Sequence, residues 1–455
     1  MAVGRSSRVL LCAGALALAA CGGTSVTTTT TSTTAPATTT STTLPEPAFV
    51  PPTCTDVPVT ISEDYGPTTT VVPEALSADQ QNEVLAALDE AVRDHYLYPD
   101  FNGADWEGTV AVLTADIAGG LDTAAFYERL DEAIPSLGDE HSYVETPADV
   151  AAAEAALAGT QNFVGIGVLA FPVPDEELIT ILAVYPDSAA DFAGIDVHDS
   201  IVAIDGVPLG ATPAVTGRRI RGPECSLVVM AVGTPGQEER IVSAVRFRVE
   251  GGIPIDARLV PTDDGRTIGY VQIPTLFDTT EVDQVRSALE AWGPLDGLIL
   301  DLRVNGGGSS QVLEPLLGLF TSGTVGDFVS REGTRPLDIA DEGINNTQTV
   351  PLVVLVGDDT ESYAEVLAGT LGALGRATLI GETTQGNVET LLGYDLPDGS
   401  KLWLAGERFY PRADPEADWE RDGIVPDVVV PTDWWDFTFE TDPAIPIALE
   451  ALAQG

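Results

Sequence analysis

One lysine, Lys401, three histidines (His95, His141 and His198) and four cysteines are all that 455 residues supply of the side chains that most often serve as bases, nucleophiles or soft metal ligands. Basic residues are scarce too: 21 Lys and Arg stand against 70 Asp and Glu, a formal charge of −49. A field of that sign repels nucleic acid and anionic lipid headgroups, so no nucleic-acid partner is expected. A solvated acidic surface accounts for the charge without any acid-dependent function. Histidine and cysteine never fall at zinc-site spacing, and neither GxGxxG nor a glycine loop followed by Lys-Ser/Thr occurs. No metal or other cofactor is therefore expected. What is present is apolar: 44% of residues are hydrophobic, in a chain long enough for about three domains.

The N-terminus reads as an address. Arg5 and Arg8 precede an apolar run, Val9 to Ala20, that ends in Leu18-Ala19-Ala20-Cys21-Gly22. The run falls well short of the roughly 20 residues that span a bilayer. The segment resembles a bacterial lipoprotein signal, which implies removal of residues 1–20 and lipidation of Cys21, anchoring the chain to the outer face of the cytoplasmic membrane. Residues 24–44 are a threonine tract with few large apolar groups and read, within 21–50, as a disordered tether. Cys12 would leave with the signal, so only Cys54 and Cys225 remain to pair outside the cell, and the sequence leaves open whether they do.

From Ser77 to about Pro147 the periodicity predicts helices, with Leu85, Leu88 and Val92 on one stripe, Asp105 and Asp122 as caps, and a break at Gly119-Gly120. Residues 75–150 form a helical domain ending in "LGDEHSYVETP". Between about 160 and 250 short strands and turns take over, including "FVGIGVLAF" and "SIVAIDGVPL". From 252 onward strands alternate with helices, predicting an α/β core. Two of its units matter: "LDGLILDLRVNGGGSSQVLEPLLGLF" and "PLVVLVGDDTESYAEVLAGTLGALGRATLIGE", each a buried strand, a loop and a helix. In such sheets the loops beyond the strand carboxyl ends hold the site, which would set Gly306–Gly308 against Ser362.

Ser362 opens a helix whose apolar residues Ala364, Leu367, Leu371 and Leu374 recur at helical spacing, closed by Gly375. A serine there can be simply an N-cap, a role open equally to Thr360. The glycine run allows more, because glycines let backbone amides point at a developing negative charge. A tight turn would also explain it.

"VGIGV" followed by "YPDSAADFAGIDVHDSIVAIDGVPL" resembles a bacterial PDZ domain, which implies a peptide-binding role for Gly165, Ile166, Gly167 and Val168; His198 stands where that family usually has glycine. With it, "DLRVNGGG", "TESYAEVLAG", "GRATLIGETTQGN" and "DGIVPDVVV" resemble, in order and over residues 75–455, the C-terminal processing (tail-specific) serine peptidases. The resemblance implies a crotonase-like α/β core, attack by Ser362 on a peptide bond near a free C-terminus, and oxyanion donors from Gly306 or Gly307 with Tyr363. One departure is chemical. The tail-specific enzymes pair serine with a lysine in the segment that here reads "GETTQGNVET", and Asn387, whose amide cannot take a proton, stands in its place. Lys401 lies elsewhere. The related tricorn core proteases use Ser-His-Glu, and their pattern falls on His141 in "DEHSY" and Glu420 in "WERDGIVPD", with Glu365 or another acid as the alternative third member. The competing expectation is an inactive, PDZ-containing peptide-binding protein.

Overall fold

The computed structural model describes residues 45–55, 57, 75–139, 141–151, 162–213, 217–431 and 433–454; Cys21, the apolar leader and the threonine tract lie outside them. These residues divide into two compact units, one drawn from 67–160 and 252–455, the other from 161–251 together with the described residues between 45 and 57.

The first unit begins with three helices, α1 (Ala78–His95), α2 (Trp106–Gly119) and α3 (Thr123–Ala133). Each starts at the residue whose side chain can accept an orphan amide: Ser77 caps α1 in a reciprocal box with Gln80, Asp105 caps α2, and Asp122 caps α3. Gly120, at φ 93°, ends α2 in a left-handed turn. The stripe of α1 buries Leu85, Leu88 and Val92 as its spacing requires. A short strand, β1 (Tyr143–Glu145), follows.

The second unit contains β2 (Asn162–Gly165), β3 (Val168–Val173), β4 (Leu178–Val184), the short helix α4 (Ala189–Phe192), β5 (Ser200–Ile204), β6 (Val207–Pro208), β7 (Leu227–Gly233), β8 (Arg240–Val245) and β9 (Phe247–Glu250). Its main sheet is antiparallel, in the order β3-β4-β5-β7-β8 with β6 beside β5, and β2 pairs with β9 in a separate ribbon. Gly165, Ile166, Gly167 and Val168 mark the crossing from β2 to β3. A Cβ on Gly167, at φ 82°, would lie 2.2 Å from Ser188 Cβ. His198 is buried with φ 73°, the left-handed conformation that glycine adopts most easily. Cys54 and Cys225 form a disulfide that joins the segment before residue 57 to this unit, beside Leu227, Val229 and Val245.

The remainder of the first unit is α/β. Its elements are β10 (Asp256–Val260), β11 (Ile268–Gln272), α5 (Thr280–Trp292), β12 (Gly297–Asp301), α6 (Ser310–Phe320), β13 (Gly323–Val329), β14 (Thr334–Ile339), β15 (Leu352–Val356), α7 (Tyr363–Ala373), β16 (Thr378–Gly381), β17 (Glu389–Asp395), β18 (Lys401–Pro411), α8 (Trp419–Asp422), β19 (Val428–Val429) and α9 (Ala444–Ala451). One sheet runs β10-β11-β12-β15-β16-β19, parallel from β11 onward. Both its faces are covered, so β12 and β15 are apolar at every position but the last of β12, Asp301. Leu298, Leu300, Leu352, Val354 and Val356 enter one core with α6 and α7, while Ile299, Val353 and Leu355 enter another with α9. A second sheet, β1-β18-β13-β14 with β17 beside β18, turns Leu402, Leu404 and Ala405 into the core of the three helices. That shared core holds helices and α/β region in one unit.

Candidate active site

Two strand-to-helix crossings leave the carboxyl ends of β12 and β15 side by side. In the first, Asn305 Nδ2 donates to the Ile273 carbonyl and its Oδ1 accepts the Gly307 amide at 2.9 Å. Gly308 bridges to Leu276, where an added Cβ would come within 2.0 Å of backbone. In the second, Thr360 Oγ1 accepts from Gly357 N and donates to the Leu302 carbonyl, and the Glu361 amide donates to the Asn305 carbonyl. Thr360 is thus committed to joining the two loops, and Ser362, not Thr360, precedes the first residue of α7.

Ser362 has φ 56° and ψ −127°, a region costly for any residue with a Cβ, by about 1–3 kcal/mol. Its conformation is held from beneath by Glu365, which is fully buried. One carboxylate oxygen accepts the amides of Ser362 (3.0 Å) and Asn387 (2.8 Å), the other the Gly386 amide and the Thr384 hydroxyl. Burial pushes this carboxyl up to about 7, against the pull of those donors. Glu365 therefore braces the serine turn. It does not touch His141, so the alternative of Glu365 as the acid beside the histidine is corrected by the structure.

Gly307 faces Ser362 across the gap: a Cβ there would lie 2.7 Å from Ser362 Cβ and 3.1 Å from the Tyr363 amide nitrogen. The sequence expectation for Gly307 needs correction. Its N–H is already given to Asn305, so its contribution is the absence of a side chain, which lets the loop approach the serine. The Tyr363 amide is the first of α7, where a helix leaves its donors unpaired.

His141 reaches this region by way of β18. Asp139 accepts the amides of His141 and Ser142, forming a tight turn, Ser142 Oγ accepts the Ala405 amide, and β1 then pairs with β18 at Tyr143↔Trp403. The ring is buried, its side chain 6% exposed, and Nε2 lies 2.7 Å from Glu420 Oε1. Glu420 projects from α8, and its second oxygen accepts the amides of Val388 and Glu389. Burial alone would lower the His141 pKa, but the hydrogen bond and charge of Glu420, helped by Glu389 and Asp139, outweigh it and raise it to about 9. Nδ1 is buried without a partner. Ser362 and Glu420 are linked through consecutive backbone amides, Asn387 to Glu365 and Val388 to Glu420. No hydrogen bond joins the Ser362 hydroxyl to the ring.

Asn387 is buried, and its side-chain amide donates to Glu361. Two neighbours were not singled out in the sequence. Glu389, also buried, accepts from the Tyr98 hydroxyl, and burial next to Glu420 lifts its carboxyl to about 7. A glutamate at the first position of a strand carries no periodic signal, and the groups it gathers with, Tyr98, His141 and Glu420, are 31 or more residues away in the chain. Leu374, expected on the apolar stripe, is 42% exposed because α7 has ended before it.

Comparison with known proteins places these features in a family. The Peptidase family S41 model matches residues 267–430. A carboxyl-terminal-processing protease of Synechocystis is 28% identical over 383 residues, 82% of this chain and 86% of that protein. A protein of the same name from Picosynechococcus is 29% identical over 341 residues, 72% of this chain and 79% of its own. The solved structure of the photosystem II D1 C-terminal processing protease shares the fold, with a TM-score of 0.54 at 24% identity, over 82% of this chain and 96% of that one. The two crossings above fall inside the segment that is similar to peptidase family S41, and with these carboxyl-terminal-processing relatives they mark the chain as a serine peptidase.

Proposed function

We propose that this peptidase is lipid-anchored through Cys21 outside the cytoplasmic membrane and cleaves proteins near their free C-termini, with Ser362 as nucleophile, His141 as general base and Glu420 as the acid that orients it. The observation that carries the reading is the 2.7 Å contact of His141 Nε2 with Glu420 beside a strained serine turn. In the tautomer that keeps this contact Nε2 holds the hydrogen, so Nδ1 carries the lone pair that takes the serine proton. Oγ then attacks the carbonyl carbon. The oxyanion meets the Tyr363 amide at the positive end of α7. Imidazolium returns the proton to the leaving amine, and water repeats the sequence on the acyl-enzyme. The hydroxyl and ring close their gap on substrate binding, as catalytic hydrogen bonds loose in free enzymes commonly do.

The carboxyl-terminal-processing relatives support the substrate class. On this reading the α/β region is a crotonase-like core and residues 160–250 a PDZ domain, where Gly165 to Val168 receive an extended peptide by strand addition. The Cys54–Cys225 disulfide supports an oxidising compartment, in line with the signal sequence. Fluorophosphonate labelling tests the assignment: label on the wild type should vanish in Ser362→Ala and fall sharply in His141→Ala. Labelling of His141→Ala at the wild-type rate would rule out the imidazole as base.

A further inference from the structure

The ligand atoms of His141, Glu389 and Glu420 all lie within 4.8 Å of one another. Each carboxylate is divided in the same way. One oxygen is held from outside the cluster: Glu389 Oε1 accepts the Tyr98 hydroxyl and Glu420 Oε2 the amides of Val388 and Glu389. The other oxygen takes no part in those bonds. Glu420 Oε1 is on the histidine, and Glu389 Oε2 is buried without a partner in a side chain 97% removed from solvent. A buried carboxylate oxygen left unpaired costs free energy that a ligand would recover. Arg408, opposite Glu389 in the β17–β18 ladder, gives its guanidinium to Asp418 and hydrogen-bonds to neither glutamate, so it leaves the buried Glu389 oxygen unsatisfied.

We propose that His141, Glu389 and Glu420 form a binding site for a divalent transition-metal ion of the zinc type, and that occupancy holds the enzyme in a reversibly inhibited state. One imidazole and two carboxylates with a water in the fourth position make a tetrahedral zinc donor set. Zinc bonds of about 2.0–2.2 Å put tetrahedral ligands roughly 3.4 Å apart, so side-chain adjustments of about 1 Å bring the present atoms into place. Tyr98 and the 388–389 amides are the outer hydrogen bonds that orient such ligands. The metal replaces the proton shared by His141 and Glu420, and a second proton leaves if Glu389 holds one, so affinity rises with pH. Binding stands on the three side chains alone. The inhibitory consequence rests on the catalytic reading of His141, since a neutral ring bound to metal through Nε2 carries its remaining hydrogen on Nδ1, the atom that would take the serine proton.

Cobalt(II) titration of the full folded enzyme in the Ser362→Ala background, followed by visible absorption, reads the site without turnover. One equivalent should give the intense spectrum of four-coordinate cobalt, be displaced by Zn²⁺, and bind at least about tenfold more weakly in Glu389→Gln and in Tyr98→Phe, the loss typical of disturbed ligand support. Wild-type affinity in Glu389→Gln, or no tetrahedral spectrum at all, overturns the site. A parallel Zn²⁺ inhibition series on the active enzyme separates the two readings. Binding without inhibition keeps the site and removes His141 from catalysis, whereas no binding with a dead His141→Ala does the reverse.

Discussion

The crossings after β12 and β15 do the same geometric task with opposite chemistry. Both turn a buried parallel strand into a helix within a few residues, and both are tied to each other through Leu302, Asn305, Thr360 and Glu361. The first meets the demand for unusual backbone angles with glycine: Gly307 has φ 86° and leaves no side chain to collide. The second places Ser362 at φ 56° and keeps its Cβ, and four donors converge on Glu365 to hold it there. Glycine would make that turn more cheaply. Strain tolerated at one crossing and avoided at its neighbour marks the side chain retained there as the one with a chemical task.

The largest break in this comparison is removal of the hydroxyl. Ser362→Ala keeps the Cβ, the brace on Glu365 and the fold, and should lower kcat by about 10⁴-fold or more, as loss of a nucleophile does elsewhere. Steady-state hydrolysis of a peptide substrate, with circular dichroism to show an intact fold, checks it. Activity within tenfold of wild type would leave the strained turn without a function.

The second crossing also rests on Glu365, whose carboxyl burial pushes up to about 7, and lies in one backbone relay with the His141–Glu420 pair. On the proposed reading His141 must be neutral to act as base, and its pKa is raised to about 9, so log kcat/KM should climb with pH by about one per unit up to that region. Activity at pH 7 would then be about 100-fold below the plateau. The sign for a neighbouring anion follows directly. A negative Glu389 favours imidazolium, so Glu389→Gln should move the acid limb downward, by less than about one unit. An unmoved limb would mean that Glu389 and His141 do not sense each other.

Gly307→Ala reverses the comparison by giving the first crossing a side chain. Its methyl would meet Ser362 Cβ at 2.7 Å and the Glu361 carbonyl at 2.9 Å, from a backbone already at positive φ. A loss of about 2–3 kcal/mol in urea unfolding is expected, with activity falling further than stability because the displaced atom is the carbon that carries the Ser362 hydroxyl. A neutral variant would show that the loops have room to separate.

What could be read from the sequence divides along the same line between local and distant. The caps at Asp105 and Asp122, the break at Gly120 and the apolar β12 and β15 are decided within a few residues, by capping chemistry and by burial on both faces, and all are legible. So was the juxtaposition of the glycine loop with Ser362, because neighbouring parallel strands deliver their loops to one edge. The His141–Glu420 contact joins residues 279 apart through β1 adding to β18, and nothing in local spacing announces it; only family resemblance reached it. Glu389 escaped both routes. The amide of Gly307 was misjudged because a glycine's permissive φ says where the chain can turn, and not which acceptor its N–H will find.

The smallest effect bears most directly on strain. Ser362→Gly removes the Cβ that makes φ 56°, ψ −127° costly, a gain of about 1–3 kcal/mol in the folded state. Against it stands the greater freedom glycine gives the unfolded chain, about 0.5–1 kcal/mol. The net should be a stabilisation of roughly 1 kcal/mol, visible as a higher urea midpoint at unchanged slope. Ser362→Ala is the control, since it lacks the hydroxyl too but keeps the Cβ and therefore the strain. If glycine is no more stable than alanine at this position, the turn is relaxed, and the contrast between the two crossings loses its physical basis.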